Sequence, residues 1–140
     1  MAAITNIEWL SVPTHRDTRG AVSYGQLSDP FPFEIKRVYY LYDVPGDGAR
    51  GAHAHKQLHQ VFIAISGRFR LRFDDGANRL EVVMDKPDHA LYVPPMIWRD
   101  LDCFSADAVC LVLASARFDD ADYIRDYEDF VSLAKGTSTP

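Results

Sequence analysis

Polar and apolar residues alternate with a period of two along much of the chain. "RFRLRF", residues 68–73, shows it most clearly. Arg68, Arg70 and Arg72 fall on one side, and Phe69, Leu71 and Phe73 on the other. That spacing predicts a strand with the arginines on a solvated face. "HQVFIAIS" (59–66) is almost continuously apolar and closes at Gly67, which also predicts a strand. "AVSYGQL" (21–27), "EIKRVYYLYDV" (34–44), "RLEVVM" (79–84), "HALYV" (89–93) and "AVCLVLAS" (108–115) continue the series. "HRDTRG", "PGDG" and "DDG" punctuate it as turns, with Asp74 and Asp75 read as turn formers ahead of Gly76.

The period changes near the C-terminus. In "DDADYIRDYEDFVSLAKG", Tyr123, Tyr127, Phe130, Val131 and Leu133 recur at helical spacing. Asp119, Asp120 and Asp122 crowd the start, where a helix dipole favours negative charge, and Lys135 with Gly136 marks the stop. One or two short helices are expected there, and none of these aspartates is assigned a catalytic part. The 140 residues suit one domain, set here at residues 1–134, with residues 135–140 as a disordered tail. Many short strands at regular spacing predict an all-β sandwich or barrel; a cupin-type jelly roll with a short C-terminal helical segment is the expected member of that class.

Charge narrows the function. A net charge of −5 and an isoelectric point near 5.4 argue against general nucleic-acid binding. They leave room for an anionic small molecule, because a few arginines set the field inside a pocket. No apolar run is long enough to span a membrane, and the N-terminus shows no basic-then-apolar leader, so a cytoplasmic protein is expected. Cys103 and Cys110 have no paired spacing; both are read as reduced thiols, with Cys110 in the core.

The candidate chemistry centres on "RGAHAHKQLHQ". His53 and His55 are two apart, so on an extended chain both imidazoles point the same way. His59 lies beyond a turn and is read as a surface or packing residue. The first cupin motif places two such histidines before a glutamate and a closing glycine. His53, His55 and Gly67 fit it, but the glutamate position falls on Gln60. In the second motif, "PPMIWR" aligns Pro94 and puts Arg99 where the histidine ligand belongs. An amide and a permanent cation are poor company for a divalent ion, so no metal and no other cofactor is expected. The histidines are then free for proton chemistry.

Longer stretches carry a closer resemblance. "DTRGAVSYGQL", "FEIKRVYYLYDVPGDGARGAHAHKQLHQVF", "FDDG" and "LYVPPMIWRDLDCFSADAVCLVLASARFDDADYIRDYEDF" together resemble the WxcM-like sugar 3,4-ketoisomerases, from about residue 14 to residue 132. The resemblance implies a metal-free cupin acting on dTDP-4-keto-6-deoxyglucose. It implies a homodimer with exchanged N-terminal strands, and a PLP aminotransferase downstream that converts the 3-keto product to a 3-amino sugar. Family members often have Trp-His where this chain has Trp98-Arg99.

Residue expectations follow. His55 is assigned as the base that removes the C3 proton, with His53 as its partner. Only one of Tyr39 and Tyr40 can face inward, and Tyr40 is chosen as the phenol beside the sugar. Arg19 and Arg50 match family positions and are expected on the diphosphate, with Lys56 as a further candidate. Gln60 is expected to bond the sugar or His55, Trp98 to stack on the ligand, and Arg99 to meet phosphate or to fix Asp100 or Asp102. Three other readings remain: a nucleotide-sugar 3,5-epimerase, whose His–Asp pair the spacing does not reveal; a metal-dependent cupin dioxygenase; and a non-catalytic sugar-binding cupin.

Overall fold

Alternation in residues 69–74 has its cause in the two sides of the strand they form. Phe69, Leu71 and Phe73 are buried in the main core, while Arg70 and Arg72 lie outside and share the carboxylate of Asp102 at 2.7 and 2.9 Å. The arginine stripe is therefore a surface feature, as expected. The structure, a computed structural model, describes residues 3–136. The last four residues of the expected tail, 137–140, lie outside the described residues, while Lys135 and Gly136 close the terminal helix.

The N-terminal part contains β1 (Glu8–Ser11), β2 (Thr14–Asp17), β3 (Gly20–Ser23), β4 (Gln26–Leu27) and β5 (Pro30–Phe31). The central part contains β6 (Arg37–Tyr42), β7 (Arg50–His55), β8 (Gln60–Ser66), β9 (Phe69–Asp74) and β10 (Arg79–Met84). Then come β11 (His89–Val93), β12 (Trp98–Asp102), β13 (Val109–Ala114), β14 (Tyr123–Ile124) and the helix α1 (Tyr127–Gly136). Two antiparallel five-stranded sheets face each other, in the orders β1-β11-β8-β13-β6 and β10-β9-β12-β7-β14. This is a jelly-roll arrangement, all-β apart from the short C-terminal helix. The hydrogen-bonded ladders of the two sheets do not join into a closed barrel among the described residues.

Burial explains why β8 reads as continuously apolar. Phe62 and Ala64 face the core between the sheets, while Val61 and Ile63 face a second cluster with Val12, Phe31 and Leu113. A strand covered on both faces loses its alternation. On the outside of the other sheet, α1 sets Phe130 and Ala134 against Ala54, Trp98 and Ile124. Cys110 lies in the main core, as expected, and Cys103 is exposed; both are free thiols.

Two local readings change. "HRDTRG", read as a turn, supplies most of the β2–β3 hairpin. "AVSYGQL", read as one strand, is divided into β3 and β4 around Tyr24 and Gly25. In both cases the segment stands off the core, so burial imposes no alternation on it.

Gly67 ends β8 with φ at +63°, where an L side chain is strained. An added Cβ would lie 2.3 Å from Ser105 Oγ and 2.8 Å from Ala108 Cα. Gly67→Ala should therefore lower stability by about 1–3 kcal/mol, read as an earlier urea midpoint. An unchanged midpoint would mean the 105–108 loop yields at no cost.

Candidate active site

Strands β7 and β12 run antiparallel and place Arg99 directly opposite His53. Their approach depends on Gly51, whose φ is +90°. A Cβ there would sit 3.0 Å from the Arg99 carbonyl oxygen and 3.1 Å from Leu101 Cδ1. The register shifts between Arg99 and Asp100, and Ala52 also takes a positive φ of 59°. A bulge of this kind re-aims side chains locally.

The result is a cavity of about 220 Å³ opening between the sheets. Phe62, Leu101 and Val112 give it an apolar floor. Arg37, Tyr39, Arg50, His53, Arg99 and Tyr123 give it polar walls.

Arg99 is only 1% exposed. Its Nε and one terminal nitrogen donate to the Ile97 carbonyl at 3.1 and 2.9 Å, and the other terminal nitrogen donates to Gln60 Oε1. Gln60 Nε2 in turn donates to the Tyr39 hydroxyl at 2.8 Å. This chain of bonds ties one sheet to the other across the interior. No carboxylate among the described residues lies within ion-pair distance of Arg99. Burial lowers its pKa to about 10, which leaves it protonated at neutral pH.

Burial and then the guanidinium set the charge state of the imidazoles. Burial, then the charge of Arg99, pulls the His53 pKa down from 6.5 to about 4, against a hydrogen bond with the Gly51 backbone. The same two causes push His55 far below its usual range. Both histidines are therefore neutral near pH 7. They share one face, as the spacing implied, with ring centroids 4.9 Å apart and nearly perpendicular planes. His53 lines the cavity, whereas His55 is fully buried behind it.

His55 Nδ1 lies 3.0 Å from Asp122 Oδ2. Asp122 was expected only to favour a helix start, and no His–Asp pair was visible in the spacing. The aspartates do start a short 3-10 turn, Asp120–Asp122 capped by Asp119, but Asp122 does more: that turn runs into β14, whose pairing with β7 brings the carboxylate to His55 from 67 positions away. Tyr123 arrives on the same strand and packs on both histidine rings, at 5.1 and 4.4 Å.

Several expected site residues lie elsewhere. Tyr40 is 59% exposed on the outer face of β6, and it is Tyr39 that points into the cavity. Burial first, partly offset by Arg99, raises the Tyr39 pKa, so its phenol stays protonated. Gln60 has both polar atoms engaged by Arg99 and Tyr39 and touches neither the cavity nor His55. Trp98 packs under α1, with its Nε1 donating to Asp100 at 3.3 Å. Arg99 fixes neither Asp100 nor Asp102, since Asp102 belongs to Arg70 and Arg72. Arg19 is paired with Asp17 at 2.7 Å on the exposed β2–β3 hairpin, outside the cavity of this chain. Lys56 is exposed and does not line it. Arg50 does, at the mouth.

Sequence reasoning did not single out Arg37, and it read Tyr123 only as an apolar position of the C-terminal helix, whereas it sits on β14, ahead of α1. Arg37 alternates in phase with Tyr39 and Leu41 along β6, which was the available signal. Its Nε is buried without a hydrogen-bond partner. Among the described residues, no three His, Cys, Asp or Glu side chains converge as a metal ion would need. The cation at the centre of the site would repel one.

Relatives carry the same combination of fold and sequence. The family model described as "FdtA: WxcM-like, C-terminal" matches residues 5–135. A TDP-4-oxo-6-deoxy-alpha-D-glucose-3,4-oxoisomerase from Aneurinibacillus thermoaerophilus is 44% identical over 114 residues, covering 81% of this chain and 82% of its own. The crystal structure of QdtA, a sugar 3,4-ketoisomerase from Thermoanaerobacterium thermosaccharolyticum in complex with TDP, superposes with a TM-score of 0.94. It is 34% identical, over 98% of this chain and all of that one. The TDP-quinovose 3,4-ketoisomerase WlaRB from Campylobacter jejuni gives a TM-score of 0.86 and 42% identity, over 90% of this chain and 97% of its own. The chain therefore belongs to the WxcM-like family of sugar 3,4-ketoisomerases.

Proposed function

We propose that this protein converts dTDP-4-keto-6-deoxyglucose to a dTDP-3-keto-6-deoxyhexose. The observation that carries the reading is the pairing of a neutral imidazole with a permanent guanidinium on one cavity wall. His53 and Arg99 are cross-strand neighbours, so a base and an anion stabiliser reach the same point.

The chemistry needs no more than proton transfers. The C4 ketone acidifies the C3 hydrogen. His53 Nδ1 or Nε2 takes that proton, and the C–H electrons form a C3=C4 double bond as charge moves to O4. Arg99 stabilises the oxyanion, and the Tyr39 hydroxyl, still protonated, is a second donor. Return of a proton to C4, with transfer of the O3 proton to O4, gives the 3-ketone. His53 takes the role first given to His55, because only His53 meets the cavity. Arg50 and Arg37 at its walls are the partners for the diphosphate. Arg19 and Lys56 have no such placement within one chain.

The β2–β3 hairpin is exposed along its length and displays Val22, with Tyr24 and Leu27 beyond it. Strand β6 is an unpaired sheet edge with Val38, Tyr40 and Tyr42 outward. These features support a homodimer that exchanges N-terminal strands. The 3-keto product is the kind of substrate a PLP aminotransferase would take next, and both steps would run in the cytoplasm.

The deciding experiment is proton NMR of the protein with dTDP-4-keto-6-deoxyglucose in D2O. Deuterium entering the ring as a 3-keto product appears is the expected result. Exchange at C3 and C5 without ketone migration would instead establish the epimerase reading, which the His55–Asp122 pair keeps in view. His53→Asn should cut turnover by about 10²-fold or more, as loss of a general base does. Near-normal turnover would remove His53 from the role.

The pH profile is a separate check. A depressed His53 pKa keeps the working neutral form present down to about pH 4, so kcat/KM should fall as pH drops through about 4 and not through 6.5. An acid limb near 6.5 would contradict the burial argument. Sedimentation should give twice the 15.8 kDa of one chain, and a monomer would refute strand exchange.

A further inference from the structure

We infer that Asp122 is a positioning residue: its carboxylate fixes the tautomer and orientation of His55, the imidazole against which His53 rests. The inference rests on the ketoisomerase reading only for its kinetic part.

Asp122 is held from several directions. Oδ1 accepts from the Gln57 backbone N–H at 2.7 Å, and Oδ2 faces His55 Nδ1 at 3.0 Å. Its own carbonyl accepts from the Lys56 N–H at 2.9 Å. A carboxylate is acceptor-only, so Nδ1 must carry the proton. Nε2 is then a lone pair, and it is buried with no hydrogen-bond partner. The opposite tautomer would set a lone pair against a carboxylate and leave a buried N–H unpaired. Nothing at Nε2 chooses the tautomer; Asp122 does.

Orientation follows from the same contact. His53 leans on the His55 ring on one side and on Tyr123 on another, at 4.9 and 5.1 Å between centroids. Tyr123 is itself pinned by Arg125 over its face at 4.3 Å and by Phe118 at 5.6 Å. Asp122 ends the 3-10 turn Asp120–Asp122 and Tyr123 opens β14, so one short segment supplies both supports. The charged and titratable groups around His55 are Arg99, His53, Arg37, Arg125, Asp122 and Tyr123. Asp122 is the carboxylate in contact with the ring. A rotated His55 would leave His53 free to turn away from C3 while the nucleotide still bound. The cost should therefore fall on kcat.

The isosteric change Asp122→Asn makes this testable. The Asn oxygen can satisfy either Gln57 N–H or His55 Nδ1–H, and its NH2 must face the other. With Gln57 retained, the NH2 donates to Nδ1 and forces the proton onto Nε2. The first measurement is nitrogen-15 NMR of the unsubstituted protein without substrate. A neutral His55 protonated at Nδ1 supports the inference, and protonation at Nε2 overturns it. This result stands whether or not the protein proves to be a ketoisomerase, and whether or not the variant folds. In Asp122→Asn the same spectrum should show the proton on Nε2. Turnover of dTDP-4-keto-6-deoxyglucose should fall about 10-fold or more in kcat, with KM within about threefold. A kcat within about twofold of the parent, or a rise in KM alone, would reduce Asp122 to an anchor for its segment and overturn the proposal.

Discussion

A guanidinium buried with no carboxylate at ion-pair distance among the described residues is the constraint on which this site depends. Removing a charge from water is costly, and interiors normally offset that with an opposite charge. Arg99 has instead a peptide carbonyl from Ile97 and the amide oxygen of Gln60. Those dipoles solvate the cation but leave its charge uncancelled. The field therefore reaches across the cavity, and with burial it holds His53 and His55 neutral. The same ion links the sheets through Gln60 and Tyr39, so the electrostatic centre is also a structural tie. Loss of the charge and loss of the tie cannot be separated by deleting Arg99.

Several local rules are broken around this ion. Gly51 and Ala52 take positive φ, and β7 and β12 slip register beside Arg99. Among the described residues, the buried side-chain atoms Arg37 Nε and His55 Nε2 have no hydrogen-bond partner. Strain and unsatisfied groups concentrate where function needs them, and the well-packed remainder keeps the fold. Here that remainder is the core between the sheets, with Phe62, Phe69, Leu71, Phe73 and Val112 almost fully buried.

What the sequence disclosed follows the same division. Period-two segments became strands because one face of each meets the core, and β8 stood out because both of its faces are covered. The shared face of His53 and His55 was legible, since two residues on a strand fix it. The choice between Tyr39 and Tyr40 was not, because alternation gives two phases and only packing says which is inward. Strand β12 hid behind its own function: Arg99 alternates inward with Leu101, and a charged inward residue reads as a solvent residue. Asp122 lay beyond local pattern altogether, since its meaning comes from the pairing of β14 with β7. Gln60 was seen at the right position, but its partner was decided by Arg99, a neighbour only in space.

The arginine at position 99 gains a physical meaning from this arrangement. A histidine at position 99 could carry a proton; an arginine there cannot give one up at neutral pH. Arg99 can therefore hold charge but not move it. In the proposed reaction, proton movement falls to His53, with the hydroxyls of Tyr39 and the sugar. As the C3 proton leaves, negative charge grows on an oxygen while the guanidinium stays as it was, already oriented by Ile97 and Gln60. No reorganisation is required at that moment, which is the condition under which a fixed charge lowers a barrier most. A cavity of about 220 Å³ with an apolar floor sharpens the effect by displacing water from the reacting atoms. The neutral imidazole and the fixed cation are thus complementary requirements: one accepts the proton and the other holds the charge left behind.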